Sequence, residues 1–226
     1  MDNHETTLNL SHMVRPAIEH GPDGGAGPCL ILLHGRGADE ADLMGLEGAL
    51  DPRLTIVSPR APFRLGPGYA WYLMGADGEA DDESFMTSVQ ELRTFLEGLP
   101  EAYDIDPSRL YLFGFSQGAV LSSALAMLIP GAITGIIMHS GYISTHHAGL
   151  DLPADGLKDK PFFLAHGKYD DVIPVTWGRD ALEYLEAAGA HVIYKEYPIG
   201  HSISEESLYD AGEWLTAHLD FITRTD

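Results

Sequence analysis

"LFGFSQGAVLSSA", residues 112–124, is an apolar run that reaches Gly-Phe-Ser-Gln-Gly and then continues in small residues suited to a close-packed helix. Read as strand, tight turn and helix, it sets Ser116 at a nucleophile elbow, where a strained backbone lifts the hydroxyl clear of its neighbours. Strand and helix nearly touch at such a turn, so the positions two before and two after the serine must be small. Gly114 and Gly118 occupy them, and Ala119, Ser122, Ser123 and Ala124 keep the following helix slim. The unpaired N–H groups at the helix start then point at any negative charge that develops beside the serine.

Working outward, branched apolar runs recur at 29–35, 54–60, 110–115, 133–141, 161–167 and 191–197. They alternate with helical patterns, which predicts a mostly parallel central sheet with helices on both faces and no large cap. One helix carries Phe85, Val89, Leu92 and Leu96 on one face and is expected to stop at Gly98 and Pro100; others are expected at 178–190 and 204–222. With 226 residues, 45% of them hydrophobic, one α/β domain spanning 1–226 is expected.

Composition narrows the function classes. No window holds eighteen consecutive apolar residues and the first sixteen residues lack a leader pattern, so a cytoplasmic protein without stable membrane insertion is expected. A net charge of −21 repels polyanions and argues against nucleic-acid binding. Lysine supplies only four of the 13 basic residues, a surface suited either to high salt or simply to solubility. The lone Cys29 excludes an intrachain disulfide and a multi-cysteine metal site. No cofactor and no metal are expected, and a monomer or homodimer is.

A serine hydroxyl attacks a carbonyl only if a base takes its proton, and the base needs an orienting acid. At an elbow of this kind the chain order is serine, acid, histidine. His139 lies in an expected strand, His191 begins one and His218 sits in the last helix, while His166 precedes any acid of its own loop. His146 and His147 share a loop rich in flexible residues, where a metal or no role at all is expected before catalysis. His201, in "YPIGHSISEES", follows a strand and a glycine just before a helix and is the expected base. The acid belongs in "HGKYDDVIPV", where Asp170 and Asp171 remain equal on these grounds. Backbone donors for an oxyanion are expected from Gln117 and from "LLHGRGAD", where Gly35 and Gly37 free the peptide around Arg36 to turn inward. A charged clamp is the other use for Arg36. Two long segments, 61–82 and 142–160, follow strands and should border the site; Trp71, Met74 and Ile173 are the expected substrate-binding residues.

Four motifs, "HGRGAD", "GFSQGA", "HGKYDDVIPV" and "GHSIS", fall in order between residues 34 and 204. Together they resemble the phospholipase/carboxylesterase family of small α/β-hydrolases, which includes acyl-protein thioesterases and bacterial carboxylesterases. The resemblance implies an α/β-hydrolase fold and puts the acid four residues after the histidine of its His-Gly pair, at Asp170. It supports Ser116 as nucleophile, His201 as base and the N–H groups of Arg36 and Gln117 as oxyanion donors. The chain departs from the family where Arg36 and Lys168 stand. The expectation is therefore a serine carboxylesterase acting on a small-molecule ester of a small to medium acyl group. Thioesters and lysophospholipids are alternative substrates, and a non-catalytic ligand-binding protein on the same fold is the alternative of a different class.

Overall fold

The computed structural model describes residues 8–19, 25–76, 78–144 and 156–223. Seven strands form one sheet in the order β1 (His12–Arg15), β3 (Thr55–Pro59), β2 (Gly27–Leu33), β6 (Ile105–Phe115), β7 (Gly135–His139), β8 (Pro161–Gly167) and β9 (His191–Tyr197). Only β1 is antiparallel, pairing His12 with Pro59 and Arg15 with Ile56. Its four residues, none of them buried, carry too little alternation to register as a strand in the sequence.

Buried on both faces, the central strands send alternate side chains to two cores. Cys29, Ile31 and Leu33 of β2, with Leu110 and Leu112 of β6, pack under α1 (Asp82–Tyr103), α2 (Gln117–Leu128) and α3 (Val175–Ala187). Leu30 and Leu32, with Tyr111 and Phe113, face α4 (Glu205–Thr223) and a short 3-10 turn at Leu43–Ala49. Each such fully buried aliphatic or aromatic side chain contributes about 1.5–3 kcal/mol, so the sheet is the rigid platform on which the loops stand. These are the parallel sheet and two-sided helical cover of the α/β-hydrolase fold. No helix among the described residues is long and apolar enough to cross a membrane.

Two local expectations need correction. α1 runs past Gly98 and Pro100 to Tyr103. Proline deletes only its own N–H bond, and here the final turn is closed by the Asp104 N–H on the Pro100 carbonyl, with Asp104 in the left-handed region at φ 51°. At its start Asp81 caps the Ser84 N–H, and Asp82 and Glu83 complement the helix dipole. The segment 61–82 is also more ordered than a loop, since β4 (Phe63–Leu65) and β5 (Gly68–Ala70) make an antiparallel hairpin within it.

Candidate active site

β6 ends at Phe115 and α2 begins at Gln117, leaving Ser116 between them at φ 54° and ψ −118°. A β-carbon on Gly114 would strike the backbone of Gly118 and Ala119, and one on Gly118 would strike Leu33 and His34. The two glycines are thus required by close approach, as the sequence implied. Although it stands at the helix N-cap, Ser116 makes no side-chain cap bond. Its Oγ lies 2.9 Å from His201 Nε2, and His201 Nδ1 lies 2.8 Å from Asp170 Oδ2. The Asp170 side chain is wholly buried while that of His201 keeps 16% exposure, so the chain of groups runs from the interior toward solvent.

The structure separates the two adjacent aspartates. Asp170 Oδ1 accepts the N–H groups of Val172 and Ile173, at 3.0 and 2.8 Å, while Asp171 is exposed. Burial pushes the Asp170 carboxyl up, but the His201 bond and these two N–H donors outweigh it and hold it below the usual carboxylate range. His166 sits alongside, its Nε2–H donating to the Ile173 carbonyl at 2.9 Å. The acid turn is stitched to the histidine loop by Lys168 N–H on Tyr197 O and Tyr169 N–H on Ile199 O, and Gly167 lies so close to Gly200 that a side chain would not fit. His201 rests against Phe115, ring centroids 4.9 Å apart.

The 34–39 loop lies on the other side of the serine, Gly35 packing against Phe115 and the Ser116 side chain. Gly37, at φ 86°, donates its N–H to Tyr69 O at 2.7 Å, and Tyr69 returns a bond to Ala38 O. Among the described residues neither the Arg36 N–H nor the Gln117 N–H has an intramolecular acceptor. These two N–H groups belong to the residues that follow Gly35 and Ser116 in the chain, and the Arg36 side chain is exposed.

Trp71 is not part of the cleft wall. It is fully buried, donating its indole N–H to His34 O and its backbone N–H to Gln117 Oε1, both at 2.9 Å. Gln117 Nε2 donates onward to Tyr72 O. His34 completes this backing: Nδ1–H donates to Gly35 O and Nε2 accepts the Ala61 N–H, while burial lowers its pKa and keeps the ring neutral. Met74 is 43% exposed and bridges to Ala80 across a small turn, whereas the Ile173 side chain is buried beneath the acid turn. Sequence alone assigns no role to His34 or the Gln117 side chain, because the bonds that tie them to Ala61, Trp71 and Tyr72 span 27 to 46 residues. Among the described residues no three histidine, cysteine, aspartate or glutamate side chains form a metal-ligating group, and His146 and His147 lie outside those residues.

Comparison with known proteins bears on the same segments. The phospholipase/carboxylesterase family model matches residues 16–219. An acyl-protein thioesterase 1 from Yarrowia lipolytica is 29% identical over 208 residues, 84% of this chain and 91% of that protein. Among solved structures, esterase PE8 is 30% identical with a TM-score of 0.78, covering 92% of this chain and 98% of its own. The Bacillus cereus carboxylesterase, at 24% identity, shares the fold with a TM-score of 0.83 over 95% of this chain and 97% of its own. A match that spans residues 16–219, from just after β1 into α4, and so takes in all four motif segments, means that the chain belongs to the phospholipase/carboxylesterase family.

Proposed function

We propose that this protein is a serine hydrolase that cleaves carboxylic esters of small to medium acyl groups through a Ser116–His201–Asp170 triad and an acyl-enzyme. The continuous chain of bonds from Ser116 Oγ through both nitrogens of His201 to Asp170 carries the reading. As Ser116 Oγ bonds to the ester carbonyl carbon, its proton moves to His201 Nε2 and the carbonyl electrons move onto oxygen. The unclaimed N–H groups of Arg36 and Gln117 stabilise that oxyanion. Breaking the carbon–oxygen bond sends the proton from Nε2 to the departing alcohol. Water repeats the sequence on the acyl-enzyme, releasing the acid and restoring the serine. Asp170 stays ionised throughout and holds Nδ1–H, which its depressed pKa favours.

Exposed Leu73 and Met74 follow β5, and Tyr169, Val172 and Trp177 border the acid turn. These residues offer apolar surface of modest extent for an acyl chain. Thioesters are the second reading, favoured by the Yarrowia relative and by identical acyl chemistry at the serine. In this reading the chain acts as one hydrolase domain in the cytoplasm, as monomer or homodimer, without a cofactor. Intact mass after a fluorophosphonate probe is the test. One adduct on the wild type and none on Ser116→Ala is expected, and an unlabelled wild type overturns the mechanism. A series of p-nitrophenyl esters and matched thioesters should then give the highest kcat/KM for short and medium acyl groups on oxygen esters. A maximum at long chains or on thioesters would reassign the substrate.

A further inference from the structure

β7 ends on His139, a fully buried histidine with no part in the proton route above. Its carbonyl accepts the Ser116 N–H at 3.0 Å, so it fixes the elbow from behind. Its ring reaches the first turn of α4, with Nε2 at 2.9 Å from Ser207 Oγ and Nδ1 at 3.2 Å from Ser140 Oγ. Ser207 and Ser204 share four hydrogen bonds, one of them between the two hydroxyls at 3.1 Å. The Ser204 N–H donates to Ser207 Oγ, the Ser207 N–H donates to Ser204 Oγ, and the Ser207 hydroxyl donates to Ser204 O. One hydrogen bond joins the Ser207 hydroxyl to Nε2 of His139, with its direction set by the ring's tautomer. Ser204 closes the motif that His201 opens, three residues earlier.

We propose that His139 is a positioning residue that sets nucleophile and base relative to each other. Its main chain holds the Ser116 amide, and its ring, through Ser207 and Ser204, holds the turn that carries His201. The proposal rests on the triad reading, because only a serine and a histidine that must meet need a shared anchor. Phe115 fills the space between the two imidazoles, 6.0 Å from His139 and 4.9 Å from His201. The charged and titratable groups that face His139 are His166 from β8, His201 and Asp170. Burial first, then His166 and His201, push its pKa down to about 3 against the pull of Asp170. The ring therefore stays neutral and does not oppose the imidazolium that His201 becomes during turnover.

The test compares wild type, His139→Leu and His139→Gln by rate of fluorophosphonate labelling at Ser116 and by kcat and KM on one p-nitrophenyl ester. Leucine keeps volume and loses the bond; glutamine reaches about as far as Nε2 and can donate to Ser207. The leucine variant should label at least tenfold more slowly and lose kcat by a similar factor, with KM within twofold, and glutamine should recover most of the loss. Wild-type rates in His139→Leu, or equal losses in both variants, would overturn the proposal. Should His139→Leu fail to fold, Ser207→Ala puts the same question from α4. A tenfold slower labelling is again expected, and a wild-type rate overturns. An unlabelled wild type would bring down the triad reading itself, whereas equal labelling of wild type and His139→Leu would bring down only the role given to His139.

Discussion

The 34–39 loop and the 167–173 turn stand at the same edge of the sheet, on opposite sides of Ser116, and they are held by opposite means. The acid turn is largely self-contained: Asp170 accepts the N–H groups of residues two and three further on, and the neighbouring strand supplies the rest. The 34–39 loop depends on distant parts of the chain. Tyr69 of the hairpin pins Gly37 and Ala38, Trp71 binds the His34 carbonyl, and the Gln117 side chain holds Trp71 in turn. A turn built on its own side chain gives an acid whose place is set locally. A loop propped by the hairpin and by Trp71, 37 positions beyond His34, can be disturbed from outside the site.

The largest expected effect strikes the self-contained side. Asp170→Asn keeps the shape of the turn but loses the ionised partner of His201, and kcat should fall by about 10^3- to 10^4-fold. A loss under tenfold, read by steady-state kinetics, would show that the acid lies elsewhere. Next comes Gly68→Ala, whose new β-carbon would strike the Gly37 carbonyl from the hairpin side. The loop must shift, and with one oxyanion donor displaced kcat should drop by about 10^2-fold or more, with the triad untouched and Ser116 still present. Unchanged kcat would mean that the hairpin does not set the loop.

Trp71→Phe removes the indole N–H and leaves the buried His34 carbonyl unsatisfied, a cost of about 1–3 kcal/mol. Thermal or urea unfolding should record that loss while KM stays within twofold. A changed KM with unchanged stability would return Trp71 to the substrate wall. Acid should weaken the whole site in a defined direction. Unfolded, His139 takes a proton near the ordinary imidazole value of about 6.5, whereas folded it resists until about 3. Between those values the unfolded chain holds the extra proton, so stability falls as pH falls, by about 1.4 kcal/mol per pH unit at most for one such group. Asp170, held below its ordinary range, acts in the same direction once pH drops below about 4. Unfolding of wild type and His139→Leu followed from pH 7 to pH 4 checks this: wild type should lose more stability over that range than the variant, and an equal or smaller loss would contradict it. The smallest effect belongs to the exposed neighbour: Asp171→Asn should leave stability within about 0.5 kcal/mol and kcat within twofold.

Much of the site was legible because its rules are local. Gly114 and Gly118 flank Ser116 at a spacing that close strand–helix contact demands, and His201 is singled out by chain order and by the glycine before it. Chain order could not divide Asp170 from Asp171, since adjacent carboxylates share every sequence property except the direction they face. The family resemblance chose Asp170, and folding gives the physical reason, an inward turn closed by two backbone N–H groups. Trp71 was misplaced for a related cause. An aromatic residue in a glycine-rich loop reads equally well as a cleft wall or a core residue, and only the carbonyl of His34 and the side chain of Gln117 settle which.

By itself, then, the sequence determined the parallel sheet, the elbow and which serine and histidine meet beside it, because apolar period, small flanking residues and motif order act over a few neighbours. Tertiary structure alone decided which aspartate faces inward, what holds the 34–39 loop, and that His139 ties the elbow to α4. Each of those depends on hydrogen bonds whose direction is fixed only when the sheet brings its loops to one edge.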